Sequence, residues 1–92
     1  MRIRWTESAA QDLTRICDYL EEHGSPATAR RVAAVIYDCI GSLEAFPRRG
    51  RIGRKIDTRE LVIPGLPYLA IYRLHRDVIE IIRILHGAQS WP

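Results

Sequence analysis

The sequence has few cysteines and no long apolar run, and both shortages exclude classes of protein. Two cysteines, Cys17 and Cys39, are too few for a disulfide framework, so we expect reduced thiols in a cytoplasmic chain. The longest nearly uncharged stretch, residues 61–72, is too short to span a bilayer and contains Pro64 and Pro67. Charged residues close to the N-terminus argue against a signal peptide, so we expect no membrane association.

The sequence also lacks the motifs of two common kinds of cofactor site. No group of histidine, cysteine and acidic residues has the spacing of metal ligands. No glycine-rich loop follows a predicted strand, where it would hold the phosphates of a nucleotide. We therefore expect neither a metal nor any other cofactor.

Basic residues are concentrated in the second half of the chain, and 13 of the 14 are arginine. Residues 1–46 carry a net charge of −2, whereas residues 47–92 carry +5. Six basic residues fall in one short segment: Arg48, Arg49, Arg51, Arg54, Lys55 and Arg59. Because a small domain cannot bury that charge, we predict that this segment lies on the surface and binds nucleic acid or an acidic protein. A solvated loop without a binding role is the alternative.

The hydrophobic period changes twice along the chain, which predicts the element order β-α-α-β-β-β. Alternation over residues 2–5 predicts a short strand. Thr6 and Ser25 stand where helix N-caps belong. Apolar residues recur every three or four positions over residues 7–22 and again from 26 to about 46. Two helices joined by so short a link should form an antiparallel hairpin.

Three strands are predicted after an aperiodic loop at about residues 47–57. They cover residues 59–63, 68–74 and 78–85, which are rich in isoleucine, leucine, valine and tyrosine. The pattern predicts an α+β fold in which the helical hairpin packs on one face of a mostly antiparallel sheet. At 92 residues the chain suffices for one hydrophobic core, so we predict a single domain over residues 1–92.

The last two strands can be aligned through the hairpin that joins them. A two-residue loop at 76–77 pairs Arg73 with Glu80, and their opposite charges favour this register. The register places four apolar residues on the face predicted to meet the helices: Leu69, Ile71, Ile82 and Ile84. The opposite, open face then carries Tyr68, Tyr72 and Arg83. Aromatic rings beside a cation can stack bases or pack a partner helix, although at least one of these rings is expected only to pack within the sheet.

Several short motifs, in their order and spacing, resemble those of ParE/RelE-type bacterial toxins. They include Trp5-Thr6-Glu7 with Ala10 and Asp12-Leu13, Phe46-Pro47, Arg59-Glu60-Leu61, the hairpin 67–73 with 78–86, and an ending at Trp91-Pro92. The resemblance implies the toxin of a type II toxin–antitoxin pair, with roles in growth inhibition and plasmid stabilisation. It also implies a cognate antitoxin that holds the toxin inactive in a hetero-oligomer, typically by wrapping it with an acidic or amphipathic C-terminal segment.

Two activities are associated with this resemblance. RelE-like members cleave mRNA on the ribosome, and ParE-like members bind DNA gyrase and trap its cleaved-DNA state. Cleavage of RNA needs a base, an acid and cations beside the scissile phosphate. The candidates for these roles are Arg83, His86, Tyr68 and Arg59. RelE-like sequences usually have an arginine where this chain has Leu69, so the resemblance favours gyrase inhibition, with ribosome-dependent mRNA cleavage as the alternative.

The predicted contacts with the target or the antitoxin combine the arginine-rich segment, the open face and the tail. They are Arg48, Arg49, Arg51, Arg54, Lys55, Arg59, Tyr68, Tyr72, Arg83 and Trp91. For Trp91, a plug over the edge of the sheet is the alternative to an exposed contact. A third hypothesis is a module that only binds its partner and regulates its own operon.

Overall fold

Two helices pack on one face of a five-stranded sheet in the computed structural model, which describes residues 1–87 and 89. The elements are β1 (Arg2–Trp5), α1 (Glu7–His23), α2 (Pro26–Gly41), a 3₁₀ turn (Ser42–Glu44), β2 (Arg51–Ile52), β3 (Arg59–Val62), β4 (Tyr68–His75) and β5 (Val78–His86). The strand order is β1-β5-β4-β3-β2; only the pairing of β1 with β5 is parallel. The predicted α+β fold is confirmed. None of the helices in the described part of the chain has the length and apolarity needed to cross a membrane.

Both helices begin at their predicted caps. The hydroxyl of Thr6 accepts a hydrogen bond from the backbone N–H of Ala9 at 3.0 Å, and the hydroxyl of Ser25 accepts one from Thr28 at 3.1 Å. These bonds satisfy backbone donors that have no partner within the helix. The apolar stripes of both helices then meet the sheet in one core, in which Ile36 is fully buried.

The strand β2 was not predicted, because residues 51–52 were assigned to the aperiodic loop. Arg51 pairs with Glu60 and Ile52 with Arg59, in antiparallel register with β3. Two residues are too few to show the alternation that identifies a strand. The pairing nevertheless fixes the arginine-rich segment against the sheet.

The hairpin of β4 and β5 has the predicted register near its turn and a different one beyond it. Arg73 lies opposite Glu80, as expected. Farther along, Tyr72 pairs with Ile81 but Ile71 pairs with Arg83, so that Ile82 is left over as a β-bulge. Because of this extra residue, the positions of β5 that face one side of the sheet before the bulge are out of step with those that face that side after it.

The prediction of which residues face the helices is therefore wrong for Leu69, Ile71 and Ile82 and confirmed for Ile84. The helices pack against Ala70, Tyr72, Ile79, Ile81 and Ile84, whereas Leu69, Ile71 and Leu85 form a separate cluster with Ile82 on the other face. The prediction assumed a continuous register, in which Tyr72 and Arg83 share a face, and an arginine could not face the core. The bulge separates the two residues, so Tyr72 is in the core while Arg83 is not.

Candidate partner-binding surface

Both hairpin tyrosines lie on the helix side of the sheet, which contradicts their prediction as residues of an open face. Tyr68 is half-buried against the core, and Tyr72 is fully buried. The Tyr72 hydroxyl donates to the carbonyl oxygen of Pro47 and accepts from the backbone N–H of Gly50, each at 2.8 Å. Burial raises the pKa of the Tyr72 phenol, so the hydroxyl keeps its proton at neutral pH. Tyr72 thus contacts the loop from inside the protein.

Arg83 forms a two-point ion pair with Asp12 of α1. Its Nε and Nη2 atoms donate to the two carboxylate oxygens at 2.7 and 2.9 Å, and these hydrogen bonds raise the pKa of Arg83. The same carboxylate accepts the backbone N–H of Ile84 at 2.9 Å. Since β1 ends at Trp5, opposite Ile81, no strand of the described residues pairs with that edge of β5 beyond this point, whereas the other edge stays paired with β4. Asp12 therefore supplies the acceptor for this backbone N–H, and its charge is shared between Arg83 and Arg15, whose Nη1 atom lies 3.5 Å from the carboxylate.

The four candidate ribonuclease residues do not form one cluster. Tyr68 and His86 are cross-strand partners whose ring centroids lie 5.9 Å apart. Arg59 lies four residues farther along the sheet, where its Nη1 atom donates to the carbonyls of residues 48 and 50 at 3.2 and 2.8 Å. Arg83 is held by the carboxylate of α1. Both candidate cations, Arg59 and Arg83, are thus bound to other groups. They are separate from the pair formed by His86 and Tyr68.

Two arginines of the basic segment surround Glu60, a buried carboxylate that the sequence analysis did not identify. Ion pairs join it to Arg51 at 3.1 Å and to Arg54 at 3.3 Å, and the backbone N–H of Arg54 donates to it at 3.2 Å. Burial alone would raise the pKa of Glu60, but the hydrogen bonds from Arg54 and Arg51 outweigh it and lower the pKa. Glu60 directly follows Arg59 in the sequence, but only the pairing of β2 with β3 shows that it faces Arg51.

Glu80, like Glu60, has two arginine partners. It contacts Arg73 at 2.8 Å and Arg4 at 2.9 Å, and hydrogen bonds from both lower its pKa. This cluster borders an open concavity of about 820 Å³ at the end of the sheet, which is also lined by Arg48 and Arg59. The arginines in and around the concavity outnumber the carboxylates, so this end of the protein is electropositive.

The lowered pKa values predict a loss of stability in acid. A carboxylate whose pKa is lower in the folded state stabilises the fold above its unfolded pKa, near 4.5 for glutamate, and loses that contribution as the pH falls through the folded value. We expect the urea midpoint to fall between pH 5 and 3, and to fall less in Glu80→Gln. Glu21→Gln, an exposed helix position, is the control. An unchanged pH profile in Glu80→Gln would contradict this expectation.

Arg48 and Arg49 differ from Arg51 and Arg54, because neither forms an ion pair with a carboxylate of the described residues. The Nη1 atom of Arg49 donates to the Ser42 hydroxyl at 2.8 Å, and its guanidinium lies 5.3 Å from the centre of the Phe46 ring. Phe46 is 60% exposed. Together with Pro47 these residues line a shallow, mostly apolar cavity of about 420 Å³. An exposed aromatic ring therefore lies beside two cations that have no carboxylate partner among the described residues.

Two further predicted contact residues can be placed only in part. Lys55 is exposed in the loop between β2 and β3, where its carbonyl oxygen accepts a hydrogen bond from the Thr58 hydroxyl at 2.6 Å. Trp91 lies outside the described residues. Of the predicted contact surface, the arginine-rich segment remains. It has two parts: Arg51 and Arg54 pair with Glu60, whereas Arg48 and Arg49 do not.

The fold and the arrangement of its motifs are those of a known class of toxin. Residues 3–91 match the family described as the ParE toxin of the type II toxin-antitoxin system, parDE. The match covers nearly the whole chain, so this protein belongs to the ParE family of toxins. The family resemblance predicted from the sequence is confirmed.

Individual relatives agree with this assignment. The chain is 44% identical over 91 residues to a protein of Sinorhizobium fredii named toxin Y4kP, covering 99% of this chain and 93% of the relative. It is 34% identical over 88 residues to toxin RelE2 of Caulobacter vibrioides, covering 96% and 97%. A solved structure of the chromosomal ParDE TA system from P. aeruginosa is similar with a TM-score of 0.87 and 28% identity, covering 94% of this chain and 95% of that one.

Proposed function

We propose that this protein is a cytoplasmic toxin that inhibits DNA gyrase by binding it, and that a cognate antitoxin neutralises it. The observation that carries the proposal against RNA cleavage is the ion pair of Arg83 with Asp12. A ribonuclease site needs a cation beside the phosphorane that forms during cleavage. Here the Arg83 guanidinium already binds both oxygens of the Asp12 carboxylate, through hydrogen bonds of 2.7 and 2.9 Å, so it is occupied by an anion of the protein itself.

The basic surface supports a protein partner for this toxin. Arg48 and Arg49 have no carboxylate partner among the described residues, and Phe46 is exposed beside them. Guanidinium groups next to an aromatic ring suit an acidic segment that also carries apolar side chains. The solved relative is a ParDE system, which supports an antitoxin as one such partner.

Ribosome-dependent mRNA cleavage is the second candidate function. It is favoured by one relative that carries the name RelE2 and by the contact between Tyr68 and His86. In that case His86 would take or donate the proton during cleavage, and Tyr68 would orient it.

Side-by-side assays of the purified protein distinguish the two functions. We expect inhibition of supercoiling by gyrase and accumulation of cleaved DNA, with no new 5′ ends on a reporter mRNA in a translation reaction. His86→Ala should inhibit gyrase as strongly as the original protein. New mRNA ends that disappear in His86→Ala, without any effect on gyrase, would replace the proposal by RNA cleavage. A protein that is inactive in both assays would refute a toxic activity against either target.

A further inference from the structure

We infer that Tyr72 and Arg59 are positioning residues that hold the turn 46–50 in the shape that binds an acidic, partly apolar protein segment. The inference rests on the proposed function, because it specifies the chemistry of the partner and the groups that prepare its surface. Tyr72 and Arg59 are direct cross-strand partners on β4 and β3. One pair of neighbouring side chains thus supports the whole turn.

The contacts of this pair fix the backbone of the turn at several points. The Tyr72 hydroxyl bonds to the carbonyl of Pro47 and to the N–H of Gly50, each at 2.8 Å. The guanidinium of Arg59 donates to the carbonyls of Arg48 and Gly50 at 3.2 and 2.8 Å. Four backbone groups of the turn, the carbonyls of residues 47, 48 and 50 and the N–H of residue 50, are therefore held by these two side chains.

The close approach of the turn to the Tyr72 ring explains the glycine at position 50. A Cβ atom added to Gly50 would lie 2.6 Å from Cε1 and 2.7 Å from the hydroxyl of Tyr72. Atoms that are not bonded cannot approach so closely, so a larger residue would push the turn away from the ring. The backbone of the turn therefore packs directly against the fully buried side chain of Tyr72.

The surface that this turn presents suits a protein segment better than a nucleic acid. Its cavity is mostly apolar, which suits an aliphatic or aromatic side chain. Arg49 lies over the ring of Phe46, so one face of that ring is not available to stack a base. The guanidinium groups of Arg48 and Arg49 can each pair with a carboxylate of the segment. A rigid turn lowers the entropic cost of holding these cations in place, which strengthens binding.

The test uses variants that change the positioning contacts without changing the net charge. Tyr72→Phe removes both hydroxyl bonds, and Arg59→Lys replaces the Nη1 group, which donates to both carbonyls, with an ammonium group on a differently shaped side chain. Tyr37→Phe is the matched control, because Tyr37 is 55% exposed and its ring packs against Trp5. The probe is a synthetic peptide of alternating glutamate and leucine. We measure its Kd at constant salt, under conditions in which circular dichroism shows every variant to be folded.

We expect Tyr72→Phe and Arg59→Lys each to weaken peptide binding about fivefold, as for the loss of one hydrogen bond, and Tyr37→Phe to leave it unchanged. Amide hydrogen exchange at Gly50 should become faster in Tyr72→Phe. Because position 72 keeps its aromatic ring and the net charge is unchanged, weaker binding would indicate that the shape of the turn has changed. Equal affinity of Tyr72→Phe and Tyr37→Phe would overturn the inference.

Two further outcomes separate this inference from the proposed function. A single-stranded oligonucleotide that binds more tightly than the peptide, through the same residues, would assign the turn to nucleic acid and overturn the inference. Peptide binding that depends on Tyr72, in a protein without effect on gyrase, would support the inference and refute gyrase inhibition. The peptide titration requires no gyrase, so each result is read independently of the other.

Discussion

Replacing Asp12 with alanine is expected to lower the free energy of unfolding by about 3 kcal/mol, which is large for a single substitution. The buried carboxylate accepts two bonds from Arg83 and one from the backbone of Ile84. Its removal leaves a partly buried guanidinium without its counter-charge and a buried N–H without an acceptor. Both groups then carry a desolvation cost that is no longer offset. Urea denaturation followed by circular dichroism measures the effect.

Asp18→Ala provides the matched control, since Asp18 lies on the same helix but is exposed. It removes the same charge from α1 and should change the free energy of unfolding by less than about 0.5 kcal/mol. Similar losses in the two variants would show that the effect comes from the charge of the helix rather than from the Arg83 contact. A negligible loss in Asp12→Ala would show that water replaces the carboxylate at little cost.

The second large effect is expected from a comparison of two double substitutions, each of which removes two charges. Replacing Arg51 and Arg54 with glutamine should lower the free energy of unfolding by about 2 kcal/mol, because Glu60 stays buried without its counter-charges. The expected loss is smaller than for an ion pair in which both partners are buried. Here the Glu60 carboxylate is buried, but both guanidinium groups are half-exposed, so water already weakens the two ion pairs.

Replacing Arg48 and Arg49 with glutamine should instead change stability by less than about 0.5 kcal/mol while weakening partner binding roughly tenfold or more. Neither arginine forms an ion pair with a carboxylate of the described residues, so little of the fold depends on their charge. Chemical denaturation measures the stability of both double variants, and inhibition of gyrase measures their binding. If both pairs lost stability equally, the division of the segment by Glu60 would be wrong.

The helices were predictable from the sequence because their signals are local. The side chains of Thr6 and Ser25 cap backbone donors three residues away, and the apolar spacing follows directly from the helical period. Strand positions were predictable for the same reason. The strand β2 was not, since its two residues are defined only by their bonds to β3.

Which side chains of the β4–β5 hairpin face the helices depends on a bulge residue that no local sequence pattern identifies. Nothing in the isoleucine-rich run of β5 distinguishes Ile82 from its neighbours, yet this residue forms the bulge that moves Tyr72 into the core and Arg83 out of it. The position of the arginine-rich segment at the surface was predictable from charge. The division of this segment into arginines that pair with Glu60 and arginines that do not was not predictable, because Glu60 meets Arg51 and Arg54 only through the pairing of strands.

The parallel pairing of β1 with β5 has a consequence for the order in which the protein matures. Among the described strands, β1 is synthesised before all the others and pairs with β5, which is synthesised after them, with Arg2 opposite Val78. A nascent chain that still lacks β5 cannot assemble the sheet, and such distant contacts form slowly once the chain is released. The sheet is therefore completed only after β5 has been translated, and a chain interrupted before residue 78 lacks the strand that joins β1 to β4.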